Sequence, residues 1–131
     1  MTVVVAYADS AEGVAALYAG ADECLRRQLP LTVVDLGGTP EPLTDVTTRL
    51  AAQGYSVNVV PTDGTGDTVE EVLRVVAQRQ AALLVIGLRH RTPVGKLILG
   101  SAAQRLLLDA ACPVLAVRPG LRPEKASEAS D

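Results

Sequence analysis

The amino-acid sequence predicts an α/β domain: an open, doubly wound parallel sheet of five strands with helices on both faces. Three observations carry this. Short Val- and Leu-rich runs alternate with longer stretches of helical period along the chain. The runs are continuously apolar, as strands covered on both faces are. The chain has 131 residues, the size of one domain.

The strands are expected at residues 2–7, 31–35, 56–60, 82–86 and 113–118. The third is the most polar, which suits a sheet edge. In the first helix, Val14, Leu17, Ala21, Cys24 and Leu25 recur at three- and four-residue steps behind Ser10, a natural N-cap. A weaker helix spans 42–53 and stops at Gly54. The clearest runs from 67 to 79, with Asp67 or Thr68 as cap, Glu70 and Glu71 at its positive end, and Val69, Val72, Leu73 and Val76 as its apolar stripe. The fourth covers 101–111, with Ala103, Leu106, Leu107 and Ala110 inward and Pro113 closing it. Strand–helix alternation of this kind gives right-handed crossovers over a parallel sheet. One domain is expected over 1–118, and 119–131, rich in Pro, Glu, Lys and Ser, is expected to be a disordered tail.

Composition narrows the function. The hydrophobic fraction is 48%, but with no Phe or Trp the core must be built from Val, Leu, Ile and Ala. The net charge of −3 and pI near 5.1 lack the basic surplus of a nucleic-acid binder, so no nucleic-acid partner is expected. Apolar runs of about five or six residues fall far short of the ~20 that cross a bilayer. No basic stretch precedes Val3–Val5, so a cytoplasmic protein without a secretory signal is expected. Cys24 and Cys112 lie far apart, which argues against a disulfide framework or a structural metal site and for two buried thiols.

In an open parallel sheet, ligands sit beyond the carboxyl ends of the strands where the winding reverses. Two stretches have the right composition. One follows the first strand: Ala6, Tyr7, Ala8, Asp9 and Ser10. The other follows the fourth and runs from Gly87 to Ser101. There Gly100–Ser101 opens a helix and offers free N–H groups, a hydroxyl and the positive helix end to an anion. Arg89, Arg91 and Lys96 bring charge suited to phosphate oxygens. The same glycines also serve as strand exit and helix entry, and the cations as solvated surface. Gly95–Lys96 is followed by Leu97, so no Walker P-loop is present, and Gly64-Thr65-Gly66 lacks the third glycine of a dinucleotide fingerprint. The single histidine, His90, has no acidic partner nearby in sequence, which favours a structural or ligand-facing role over catalysis. Asp9 and Asp35 end apolar strands and are placed to reach the crevice. No catalytic triad or carboxylate pair stands out.

Gly87, His90, Gly100 and Ser101 fall on the spacing G-x2-G-x9-G-[ST], and with the ending LLLDAACPVLAVRP and the opening VAYADSAEGVAAL the chain resembles the universal stress protein family over about residues 2–118. The resemblance implies a sheet order 3-2-1-4-5, a switch point between the first and fourth strands, and dimers paired through the last strand, here 113–118. It implies an adenine-nucleotide site, ATP among the candidates, formed by the residues of the two stretches with Asp35, Leu36, Ala102 and Ala103, and magnesium only with a triphosphate. Four positions depart from the family's pattern. His90 replaces its second glycine, Ala8 stands where an Asp is usual, Asp9 where a Gly is usual, and Ala103 where a hydroxyl is common. Ala8 and His90 point to weak ATP binding, and Arg89 and Arg91, if they face the crevice, to a preference for compact anions. A stress-response or signalling role is therefore expected, with a nucleotide-independent dimeric adaptor as the alternative and slow nucleotide hydrolysis as the one enzymatic alternative.

The tail yields a direct prediction. It holds too little apolar surface to offset its ordering entropy. Removing residues 122–131 is expected to leave the thermal midpoint within about two degrees, as for a neutral change. A loss of about ten degrees or more in calorimetry would contradict it.

Overall fold

The computed structural model describes residues 1–62, 66–89 and 100–120. The order is β1 (Thr2–Tyr7), α1 (Ala11–Arg27), β2 (Leu31–Asp35), α2 (Pro40–Ala52), β3 (Val57–Pro61), α3 (Thr68–Gln78), β4 (Ala81–Gly87), α4 (Ser101–Asp109) and β5 (Val114–Val117). The strands form one parallel sheet in the order β3-β2-β1-β4-β5. Each expected element is present, with ends shifted by a few residues. The largest shifts are two residues, at the end of α4, which stops at Asp109 rather than 111, and at the start of α2, which begins at Pro40 rather than 42. Proline fits the first helical turn, where its missing N–H has no intrahelical carbonyl to bond.

The pleat of the three central strands divides the core in two. Val3, Val5 and Tyr7 of β1, Leu31 and Val33 of β2, and Leu83 and Val85 of β4 meet Leu17, Cys24, Val46 and Leu50 of α1 and α2. The alternate residues Val4, Val34, Leu84 and Ile86 meet Val69, Val72, Val75 and Val76 of α3 and Leu106 of α4. Period-2 strands with both faces buried therefore read as unbroken apolar runs. The exposed character of β3, with Asn58 and Val59 open to water, follows from its place at the edge.

Two inward assignments are corrected. Leu25 is 41% exposed and Leu107 38%. Each sits one position past a residue that already fills the core, Cys24 and Leu106, and the helix turns it away. Leu108 is 82% exposed, so Leu106 is the one buried side chain of α4, with Ala103 and Ala110 packed beside it.

Both thiols are free, Cys24 buried and Cys112 half-buried. Burial pushes the Cys24 thiol from its ordinary 9.0 up to about 12. Between those values the folded chain keeps a proton that the unfolded chain has lost. The stability linked to Cys24 is thus complete below 9.0 and declines as pH rises toward about 12. In native protein at about pH 8, iodoacetamide is expected to leave Cys24 unmodified, and to alkylate it in denaturant. Alkylation of native Cys24 at the denatured rate would contradict this burial.

Candidate functional site

β1 and β4 lie side by side at the centre of the sheet, but their chains leave on opposite faces. After β1 the chain enters α1 over the first core cluster, and α4, which follows β4, covers the second. A crevice of about 370 Å³ opens between the two strand ends. This is the winding reversal at which open parallel sheets bind ligands.

Close backbone contacts make its walls. A Cβ on Gly13 would lie 2.3 Å from the Ala8 carbonyl oxygen, and one on Gly87 2.2 Å from the Glu12 carbonyl oxygen. The first turn of α1 can therefore rest directly on both strand exits. Ser10 caps α1, its Oγ accepting the Gly13 N–H at 3.0 Å. The Ser10 O–H hydrogen remains available to donate into the crevice.

The opposite wall is the start of α4. Its N-cap, Gly100, has no side chain to offer and its first turn holds no acid. Its backbone is ordinary, with φ −64°, and among the described residues a Cβ there would meet nothing within 4 Å. The fold thus does not require glycine at 100. The side chain's absence leaves the mouth of the helix open, with the amide groups of Ser101, Ala102 and Ala103 lacking intrahelical partners. Arg105 holds this helix in place. It donates to Asp67 Oδ2 at 3.0 Å and to Glu70 Oε1 at 2.9 Å, across to the start of α3. The Arg105 hydrogen bond, helped by backbone donors, keeps the Asp67 carboxyl below its usual range.

Ten expected site residues line this crevice: Ala6, Ala8, Ser10, Leu36, Gly87, Arg89, Gly100, Ser101, Ala102 and Ala103. Three do not. Tyr7 points to the other face of the pleat, fully buried under Gly38, and its hydroxyl donates to the Thr39 carbonyl at 2.7 Å. Asp9 is exposed and lines a neighbouring groove with Tyr18 and Pro119. Asp35 turns back on its own loop, Oδ1 accepting the N–H groups of Gly37 and Gly38 at 2.9 and 3.0 Å. His90, Arg91 and Lys96 lie outside the described residues, as does the tail beyond Gly120. The sequence reading missed Glu12, the one carboxylate among the described residues lining the crevice. It also missed an apolar floor of Ile86, Leu88 and Leu106. Among the described residues no metal-binding cluster of His, Cys, Asp and Glu is present, and no helix is long and apolar enough to cross a membrane.

A doubly wound parallel sheet with an open helix N-terminus at its switch point defines a class of small α/β folds. Within it the relationship is specific. Residues 40–118 match the Universal stress protein family. A universal stress protein of Mycolicibacterium smegmatis is 39% identical over 127 residues, covering 89% of this chain and 97% of that one. The solved structure of a universal stress protein from Archaeoglobus fulgidus superposes with a TM-score of 0.69 at 28% identity, over 88% of this chain and 97% of that one. A structure from the same organism, described as a complex with dAMP, shares the fold at 23% identity and a TM-score of 0.63, over 88% of this chain and 96% of that one. The chain belongs to the universal stress protein family.

Proposed function

We propose that this protein is a cytoplasmic stress-response or signalling domain of about residues 1–118, which holds an adenine nucleotide, or a comparable phosphorylated anion, at the crevice between β1 and β4. It acts as a binding module rather than as an enzyme. The observation that carries this reading is Gly100. A glycine with an ordinary φ and, among the described residues, open space at its Cβ meets no neighbour there that would demand glycine rather than alanine. Its effect is to expose the positive end of α4 beside Ser101 and Arg89. The A. fulgidus relative in complex with dAMP supports a nucleoside phosphate as the ligand class.

In this reading phosphate lies against the amide groups at 101–103, with the Ser101 and Ser10 hydroxyls and Arg89 as further donors. The base extends over Ala6 and Leu36 toward β2. Gly100→Val fits the fold but fills the mouth of the helix. It is expected to weaken AMP binding at least about tenfold in a calorimetric titration, and Ser101→Ala to cost about 0.5–1.5 kcal/mol. The reading is overturned if AMP binds both variants as tightly as it binds the natural protein.

The same proposal includes a homodimer through β5. That strand is a sheet edge bonded to β4, and Leu115 on it is 37% exposed. Antiparallel pairing about a two-fold axis would cover the edge in both copies. Sedimentation at micromolar concentration is expected to give twice the chain mass, and a monomer there would rule the pairing out.

A further inference from the structure

We propose that Tyr7, from behind the sheet, fixes the rim of the crevice at its β2 end, and so makes the site favour nucleoside phosphates over phosphates that carry no base. The proposal rests on the crevice being the ligand site proposed above. Tyr7 ends β1 and stands opposite Asp35, the last residue of β2. It is fully buried in the first core cluster, on the face of the sheet away from α3 and α4. It is therefore a positioning residue: what it can change is the chain that runs over it.

That chain is the loop 36–39, and Tyr7 holds it at three points. The Tyr7 carbonyl accepts the Leu36 N–H at 2.8 Å. The ring carries Gly38 so closely that a Cβ there would lie 2.2 Å from Tyr7 Cε2 and 2.5 Å from Cζ. The hydroxyl donates to the Thr39 carbonyl at 2.7 Å. Thr39 is the N-cap of α2 but makes no side-chain cap, and its own hydroxyl lies 3.4 Å from the Tyr7 oxygen. Asp35 Oδ1 closes the turn by accepting the Gly37 and Gly38 N–H groups. Leu36, held at the start of this loop, lines the crevice. A buried tyrosine needs a partner for its hydroxyl and no more. Here backbone, ring and hydroxyl converge on four consecutive residues, on the other side of β1 from β4.

The two ends of the crevice are thus built separately. The phosphate end is the start of α4, tied to α3 through Arg105. The β2 end is Leu36, mounted on Tyr7. A loop already in place when the ligand arrives spares the ordering entropy that otherwise subtracts from affinity. Only a ligand that reaches Leu36 gains from this, and a sugar phosphate lacks the flat ring that would lie there. Phenylalanine at position 7 keeps a ring under Gly38 but takes the hydroxyl away from Thr39. Alanine at position 38 keeps the hydroxyl but forces the loop off the ring. The two changes free the same loop through different contacts.

The test titrates the full chain, Tyr7→Phe and Gly38→Ala with AMP and with ribose 5-phosphate. Amide NMR follows the titrations, since it reads weak binding and shows that each variant is folded. In both variants AMP is expected to bind at least about fivefold weaker, and ribose 5-phosphate to stay within about twofold of the natural protein. Gly38→Ala lies in a half-buried loop and carries the test should Tyr7→Phe fail to fold. Equal losses for the two ligands would reduce Tyr7 to a stability role and overturn the proposal. Unchanged AMP affinity in either folded variant would overturn it too. So would a natural protein that binds ribose 5-phosphate as tightly as AMP, a result that leaves the anion site standing. If the natural protein binds AMP alone, the AMP affinities of the variants decide. A natural protein that binds neither ligand would overturn the reading of the crevice itself, and this proposal with it.

Discussion

The fit of α1's first turn onto two strand exits is the constraint from which the rest of the molecule follows. Gly13 lets the turn close on Ala8, and Gly87 lets it close on Glu12. A methyl group at either position would meet a carbonyl oxygen at about 2.2–2.3 Å, and only backbone movement could relieve that. With both contacts made, α1 is fixed over the first core cluster, Leu17 and Cys24 reach the sheet, and the N-terminus of α1 becomes a wall rather than a loop. The crevice is the space left on the far side of that wall. Its shape is thus set by backbone packing, and its lining residues are free to carry chemistry.

The four helix starts divide the labour. Ser10 caps α1 and Glu12 sits in its first turn, α2 begins with Thr39, Pro40 and Glu41, and Asp67 caps α3 ahead of Glu70 and Glu71. Each of these has local negative charge for its own dipole. α4 has neither a side-chain cap nor an acid in its first turn. A free helix end is less stable than a capped one by about 0.5–2 kcal/mol. Here that deficit falls at the one helix whose start faces the crevice from the second layer. In the proposed reading, the missing cap and the anion site are the same feature seen from stability and from function.

Most of the fold was legible because buried parallel strands leave an unmistakable mark. Val3–Val5 and Leu83–Ile86 have no polar interruption, and between such runs only helices and short turns fit. The helix faces were legible to within one residue. Leu25 and Leu107 were misplaced because a stripe a few residues wide does not say which flank faces water. The lining of the crevice was legible at Gly87 and Gly100–Ser101, where glycines mark a strand exit and a helix entry. It was illegible where the pleat decides, since Tyr7 and Ala8 are adjacent in sequence but point to opposite faces. Asp35 was misread because a strand-end carboxylate can cap its own turn, and periodicity does not record that choice. Glu12 was missed for the opposite reason. It sits where first-turn acids are ordinary, and only the approach of Gly87 shows that it also borders the crevice.

α4 is the least embedded of the helices, with one buried residue. Leu106 is its one fully buried side chain, and its outer face carries Leu107 and Leu108 in the open. Ala103 and Ala110 pack beside Leu106, and Arg105 reaches residues 35 and 38 positions earlier in the chain. Asp67 serves both helices at once: Oδ1 accepts the Val69 and Glu70 amides that begin α3, while Oδ2 takes the Arg105 guanidinium. A carboxylate so engaged is held ionised below its usual range, and what it contributes is present at neutral pH and lost as acid protonates it. Both partners are exposed, so salt screens the pair and the net stabilisation is small. Its importance is geometric. The bridge ties α4 to the first turn of α3, beside the packing of Leu106, Ala103 and Ala110. Any ligand held by the amides at the start of α4 therefore draws on an ion pair that it never touches.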